Sequence, residues 1–456
     1  MYTMIVYRYV IIGKKYMSNF RKPLLVLFFL LLPWQTRWIF GETLVGGDPS
    51  EYGRMSLYAF DFALIAFLAA SNHIFSMPKW RYVTKNKVMK VAFLSLAAAV
   101  LLSAVSAFWA PETGVALLMS LHLGLGAMLF YVLVADETIS VDLVLASVAI
   151  SMLVPAFFGW VQAAGQSIDA SSMLGIAAQD PEVLGTSVIE YGEGRWLRAY
   201  GSFPHPNMFG GFLAFGLLAA AGVAARGRMK RQDLLMLLLA ALGGGALVMT
   251  GSRSAWIAFV AGLAIFHFGH RMNKHKDQQK RASGPILLTA TTIVLIALFM
   301  SPVLGSRFDG DNRLEEQSIS ERSMQWDEAG KLATRGAIPF ILGSGSGNYT
   351  FTLAHMKPLK EVFEYQPVHN VPAMIFVELG LIGFLLLGSL VVATDWNVHK
   401  RWKRSNSLIA LSLGTVLLVV ALADHYLWTQ ASGLYLMAIF LAINIKLGSE
   451  SDIEIL

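Results

Sequence analysis

The chain contains no cysteine, which excludes a disulfide framework, a thiol nucleophile and a thiolate metal site. It is also poor in charge. Only 14% of its residues are charged, where soluble domains carry roughly 25%, and this argues against a soluble enzyme. Internal repeats, low-complexity tracts and a separate soluble domain are absent from the sequence. No small-residue cleavage site follows the first long hydrophobic stretch, so no cleaved signal peptide is expected. The formal charge of +6 invites a nucleic-acid reading, because basic surface attracts phosphate backbone. The placement of the charges decides that question.

What is present is apolar: 55% of 456 residues are hydrophobic. At about 20 residues per bilayer crossing, ten to twelve spans fit with room for long loops. Uncharged apolar runs place spans at 23–40, 57–76, 91–110, 114–134, 142–164, 208–225, 234–250, 255–269, 284–303, 371–394, 406–423 and 429–446. The expected fold is an all-α polytopic membrane protein of about 12 transmembrane helices with both termini on one side. The basic loops alternate as this count requires. Twenty-four of the 36 basic residues fall on the side of the termini, with only nine of the 30 acidic ones. That side reads as cytoplasmic. The surplus of positive charge is therefore a topology signal, and no nucleic-acid partner is expected. The two long connections, 165–207 and 304–370, fall on the opposite side, where function is expected.

In this topology the sixth, eighth and tenth spans begin at the outer side, so their free N–H groups and positive dipole ends face outward and favour anions. Before the first stands Arg198-Ala-Tyr-Gly-Ser-Phe-Pro-His-Pro-Asn207, with Asn207 expected as N-cap. Before the second stands Thr250-Gly-Ser-Arg253-Ser, a turn so tight that it puts Arg253 at a hairpin tip, with Ser252 or Ser254 as cap. Before the third stands Gln366-Pro-Val-His369-Asn370, where Asn370 suits the cap. Arginine donates paired hydrogen bonds to phosphate at any relevant pH, and histidine can take a proton from a hydroxyl. The combination reads as a site where a membrane-anchored pyrophosphate leaves while a hydroxyl attacks. Each residue also has an ordinary reading: Arg253 as a headgroup anchor, His369 as a surface histidine.

Within the second long connection, 320–334 reads as a helix with Ser320 as N-cap, an Asp327–Lys331 pair at i,i+4, and Arg322, Trp326 and Ala329 on one face. That helix also suits the membrane interface. Gly343-Ser-Gly-Ser-Gly-Asn348 can form a turn or cradle a phosphate or sugar, but lacks the lysine of a Walker loop. Asp309-Gly-Asp311 begins like a calcium loop, but Arg313 and Leu314 stand where further ligands belong, and no metal site is expected. Asp61 and Glu378 lie inside spans, where ionisable groups are usually functional or paired. His122 reads as a core histidine, and Asp424-His425 as an interfacial pair without an assigned role.

At these residues the sequence resembles the O-antigen ligase and polymerase superfamily of bacterial membrane glycosyltransferases. The resemblance lies in RAYGSFPHPNMFGGFLAF (198–215), TGSRSAWIAFVAG (250–262), ERSMQWDEAGKLATRGAIPFILGSGSGNY (321–349) and HNVPAMIFVELGLIGFLLL (369–387), in that order. It implies a GT-C-like architecture and transfer of a glycan from undecaprenyl pyrophosphate to an acceptor hydroxyl at the outer face of the bacterial inner membrane, without metal, nucleotide sugar or other cofactor. It implies that Arg198 and Arg253 hold the pyrophosphate, that His369 is the base and that Arg322 helps bind the donor. Asn207, Ser252, Ser254 and Asn370 complete the expected substrate-binding set. The implied division is 1–190 (first helices and first long outer loop), 191–394 (ligase-like catalytic region with the outer loop 304–370) and 395–456 (last helices). The implied partners are the undecaprenyl-pyrophosphate-linked glycan, an acceptor glycolipid or growing glycan, and membrane lipids. Ligase, polymerase and protein O-glycosylating enzyme all fit. Polymerases of the superfamily often separate an arginine from a glycine by ten residues, whereas Arg198, Arg313, Arg322 and Arg335 meet Phe209, Met324, Ala333 and Ser346 there, which leans towards ligase. A transporter would place charge and broken helices near the bilayer midplane and is the remaining alternative.

Overall fold

The computed structural model describes residues 20–76, 79–80, 85–227, 233–308, 313–358 and 361–449. The expected basic N-terminal tail before Phe20 and the rejected calcium loop at Asp309 to Asn312 lie outside the described residues. The protein is predominantly α-helical and multi-pass. Among the described residues nine helices are long and apolar enough to cross a membrane. Two further apolar helices, Ala59–Ala70 and Leu234–Met249, are shorter.

Helix α1 occupies 20–31, and β1 (Arg37–Glu42) pairs antiparallel with β2 (Arg54–Tyr58). The single span expected at 23–40 is thus a shorter helix followed by a strand. Pro33, lacking an N–H, helps end the helix. The span expected at 57–76 is likewise reduced to α2 (Ala59–Ala70), followed by the 3-10 turn Asn72–Phe75. Next come α3 (Lys87–Val105), α4 (Thr113–Ala135), α5 (Val141–Ser151) and α6 (Leu153–Gly165). A second hairpin, β3 (Val188–Tyr191) with β4 (Gly194–Leu197), sits in the first long connection. The fold is predominantly α-helical, as expected, and adds two small hairpins in its connections.

The second half holds α7 (Pro206–Ala225), α8 (Asp233–Met249), α9 (Arg253–Met272) and α10 (Lys276–Phe299). The second long connection carries α11 (Arg313–Thr334), α12 (Ala337–Leu342) and α13 (Tyr349–Met356). The chain ends in α14 (Val371–Lys400), α15 (Ser405–Ala423) and α16 (Ala431–Ser449). Because α11 begins at Arg313, Ser320 lies inside a helix rather than capping one. The expected Lys331–Asp327 pair forms at 2.5 Å. Its buried face is Gln325, Glu328, Ala329 and Leu332, and both Arg322 and Trp326 are exposed.

Helix α7 is the centre of the bundle: 94% of its apolar stretch is buried, against 11% for α10 at the periphery. Small residues on α7 let its neighbours approach closely. A Cβ at Gly211 would lie 2.1 Å from the Tyr426 hydroxyl, and one at Gly210 would lie 2.8 Å from Ala255 Cβ. These contacts bring the starts of α7 and α9 and the turn after α15 to one end of the molecule. The opposite end is tied by buried ionic contacts. Arg21 meets Asp136 at 3.1 Å, Arg226 meets Asp142 and donates to Asn406 Oδ1 at 2.6 Å, and Lys446 donates to Asp136 O at 3.0 Å.

Candidate active site at three helix N-termini

The starts of α7 and α14 share a design. His205 caps α7, its Nδ1 accepting from Asn207 N at 3.1 Å, and Pro206 opens the first turn. Asn370 caps α14, accepting from Ala373 N at 2.9 Å, and Pro372 stands in its first turn. Proline suits this place because its missing N–H would be unpaired anyway. Ser252 caps α9 by accepting from Ala255 N at 3.4 Å, with Ser254 Oγ 3.3 Å from Ser252 Oγ. Asn207 is therefore not the cap it was expected to be. One residue inside the helix, its amide is freed to bridge: it accepts from Arg198 at 2.7 Å and donates to Asp424 at 3.2 Å.

Arg198 is buried, and its Nε donates to Thr250 O at 2.7 Å. This locks the start of α7 to the turn before α9. Gly251, in the left-handed region at φ +59, lets that turn pass close by: a Cβ there would meet Arg198 Nε at 3.3 Å. Arg253 stands on the same turn and donates to Arg307 O at 3.3 Å, while Arg307 donates to Gly251 O at 3.1 Å. Three guanidiniums thus gather at one capped helix start, a setting that favours an anion. Arg307 has no distinguishing sequence signal and was not expected there.

His369 lies within electrostatic reach of Asp424, the carboxylate that accepts from the Asn207 amide. Its Nδ1–H donates to Gln325 Oε1 at 2.7 Å. Since an amide oxygen only accepts, the proton sits on Nδ1 and the Nε2 lone pair is left for chemistry. Burial lowers the His369 pKa below the ordinary histidine value. The Asp424 carboxylate opposes that shift and the Arg322 guanidinium adds to it. A neutral imidazole at neutral pH is the form a general base needs.

Asp424 is the hub. It accepts from Asn207 and from His425 N at 2.7 Å, and three histidines (His205, His369 and His425) bear on it electrostatically. Burial works to raise its pKa, but the histidines and the Asn207 amide outweigh it and hold the carboxyl below its usual range. The rings of His369 and His425 lie 5.0 Å apart. Burial pushes His425 down to about 4 and His205 down to about 3, where the Arg198 charge adds to the effect. His205 has both nitrogens engaged, since Nε2 also meets Ser187 Oγ at 3.0 Å. Of the three, His369 suits the role of base best. The first hairpin covers the cluster: Tyr52 lies edge-on to His425 and donates to Gln366 Oε1 at 3.1 Å.

Glu378 and the glycine run prove to be one device. Glu378 accepts from Gly347 N at 2.7 Å, Tyr349 N at 3.3 Å and Trp428 Nε1 at 2.8 Å. Within the run, Ser344 N and Gly345 N donate to Val377 O and Glu378 O, and Ser346 N donates to Ser106 Oγ. With its N–H groups spent, this segment is a buried turn, and a phosphate cradle is ruled out by its own hydrogen bonding. The turn also fills the break in α14 at Gly380, where a Cβ would lie 2.3 Å from Ile341 O. Asp61 is paired too, accepting from Tyr435 at 2.5 Å and from Tyr58 N at 2.7 Å, with His122 Nε2 at 3.3 Å.

Among the described residues no group of three or more His, Cys, Asp or Glu side chains is spaced to hold a metal ion. Residues 234–388 match the family model described as O-Antigen ligase, and over that stretch the chain is homologous to that family. The matched stretch contains Arg253, Arg307, Arg322, His369 and Asn370, while Arg198, His205, Asn207 and Asp424 lie outside it. No curated protein matches the chain.

Proposed function

We propose that this chain is a metal-independent glycosyltransferase of the O-antigen ligase type, working at the outer face of the bacterial cytoplasmic membrane with both termini inside. In this reading the expected twelve crossings and GT-C-like arrangement hold, and 191–394 is the catalytic region. The donor is a glycan on a membrane-anchored pyrophosphate such as undecaprenyl pyrophosphate, and the acceptor is a glycolipid hydroxyl. His369 Nε2 takes the acceptor proton, and the acceptor oxygen bonds to the anomeric carbon. The bond from that carbon to the pyrophosphate oxygen breaks, and the leaving group departs with the electron pair. Arg198, Arg253 and the neighbouring helix dipoles stabilise the charge that develops, with Arg322 and Asn207 contacting the donor. Preorganised positive charge of this kind is commonly worth a hundredfold or more in rate, roughly 3 kcal/mol per donor.

The observation that carries the reading is His369, held as the Nδ1–H tautomer by Gln325 beside Asp424 and within electrostatic reach of Arg322. The homology of residues 234–388 supports it. The missing arginine-to-glycine spacing favours a glycolipid acceptor over a second lipid-linked glycan. The test is mass analysis after purified protein in liposomes meets lipid-linked glycan and candidate acceptors without ATP. Glycan on the acceptor together with free lipid pyrophosphate is the expected result. Movement of labelled lipid across the bilayer without bond cleavage would replace this reading with transport.

A further inference from the structure

A cavity of about 490 Å³ opens at the same end of the molecule, between the α3–α4 turn and the end of the second long connection. Its lining includes Trp109, Glu112, Arg335, Thr352, His355 and Met356. None of these takes part in the cluster around His369. The site is built on a fixed wall: Asn348, fully buried, accepts from Glu112 N at 2.8 Å and donates to Glu112 O at 3.2 Å. Ser103 Oγ donates to Ser346 Oγ at 2.9 Å, and Ser106 Oγ accepts from Ser346 N at 2.9 Å, pinning the turn behind it. Such preformed concavity with a few converging polar groups is what small-ligand sites have in common.

The unused polar groups define the ligand. Trp109 Nε1 is buried with no hydrogen-bond partner. Among the described residues, Arg335 and the Glu112 carboxylate have no hydrogen bond or ion pair. Thr352 Oγ1 already donates to Asn348 O at 2.8 Å and His355 Nδ1–H to Phe351 O at 2.8 Å, so the threonine oxygen and His355 Nε2 are left as acceptors. The lining therefore offers a donor at Arg335 and acceptors at Glu112, Thr352 and His355, beside the Trp109 ring. A carboxylate among these groups disfavours a phosphate, and so many polar groups disfavour an acyl chain. A ring that bears hydroxyls at its rim, each donor and acceptor at once, and C–H groups on its face satisfies all of them.

We propose that this groove is a carbohydrate subsite, holding a neutral sugar ring with its C–H face on Trp109 and neighbouring hydroxyls shared between Glu112 and Arg335. Gln325 and Arg335 are ten residues apart along and just past α11, about 15 Å at 1.5 Å per residue. An oligosaccharide reacting beside His369 can span that distance. The role in transfer rests on the function proposed above, whereas the binding does not. Either the donor glycan or the acceptor glycan supplies this chemistry.

The test is isothermal titration of the full-length protein in nanodiscs with two probes: the free oligosaccharide released from the lipid donor by mild acid, and the deacylated acceptor oligosaccharide. One probe is expected to bind and so to identify the source. Arg335→Gln, at an exposed position, and Trp109→Ala should each weaken that binding about tenfold, with Trp109→Phe intermediate and His369→Ala unchanged. In transfer assays Arg335→Gln and Trp109→Ala should raise KM for that substrate alone and leave kcat intact. Binding that is lost in the variants while wild-type protein transfers nothing would keep the subsite and remove the transferase reading. No binding of either probe at millimolar concentration, or equal binding by wild type, Arg335→Gln and Trp109→Ala, overturns the subsite.

Discussion

Replacing Glu378 separates architecture from chemistry. Its carboxylate takes three buried donors, two of them on one oxygen: Gly347 N at 2.7 Å and Trp428 Nε1 at 2.8 Å on Oε2, and Tyr349 N at 3.3 Å on Oε1. Hydrogen bonds to a charged group contribute about 1.5–3 kcal/mol each, and a stranded buried donor costs about 1–3 kcal/mol. Three stranded donors cost about 6 kcal/mol at the middle of that range, and removing the carboxylate also removes its own burial cost, so Glu378→Ala should lose about 4 kcal/mol net. Glu378→Gln keeps a carbonyl where Oε2 sits and gives up only the longest contact, a loss of about 1 kcal/mol. For a chain of this size 1 kcal/mol corresponds to about 1 °C in Tm. Thermal unfolding in detergent should therefore fall by about 4 °C for alanine and about 1 °C for glutamine on the same scaling. Trp428 lies in the turn that carries Asp424 and His425, so the alanine variant should also transfer glycan more slowly, while the glutamine variant stays near wild type. An unchanged Tm in Glu378→Ala, or a glutamine variant as unstable as the alanine one, would refute this account of the turn.

Other consequences are open to the same kind of check. Asp424 raises the His369 pKa against burial. Asp424→Asn should therefore lower that pKa further, moving the acid limb of the pH profile of kcat/KM about one unit to lower pH; a shift to higher pH would contradict the assigned charges. Gln325→Leu removes the acceptor of His369 Nδ1–H and should reduce kcat on the order of tenfold to a hundredfold with KM unchanged, as misplacing a general base does. Arg226→Ala, at the far end, breaks the buried contacts to Asp142 and Asn406. It should cost about 3 kcal/mol of stability while leaving the transfer rate per folded molecule as it was.

Much of the fold was legible because span-length apolar runs and alternating basic loops are strong signals. The approach of Arg198, Arg253 and His369 to one end followed from three helix starts on the same side. The two hairpins were hidden: Trp38, Ile39 and Phe40 are exposed apolar residues on β1, and a hydropathy reading merges them with the helix before them. Asn207 was misassigned because His205, two residues earlier, has a ring nitrogen that serves as the cap, an uncommon choice among capping side chains. The glycine run was open to both a turn and a ligand loop because composition does not reveal that Glu378, about 30 residues later, accepts from Gly347 N and Tyr349 N. Asp424 and His425 could not be tied to His369 from spacing alone. They arrive from another helix through the close approach of α7 to Tyr426.

The central claim is that His369 is the base of a transfer that releases lipid pyrophosphate, and single-turnover transfer by His369→Ala measures it most directly. Wild-type protein and the variant would be loaded with lipid-linked glycan in liposomes, donor binding measured first, and product then followed by mass after acceptor is added. The expected result is normal donor binding with product formation slowed a hundredfold or more, the contribution expected of a general base. Product formed by His369→Ala at the wild-type rate would contradict the account.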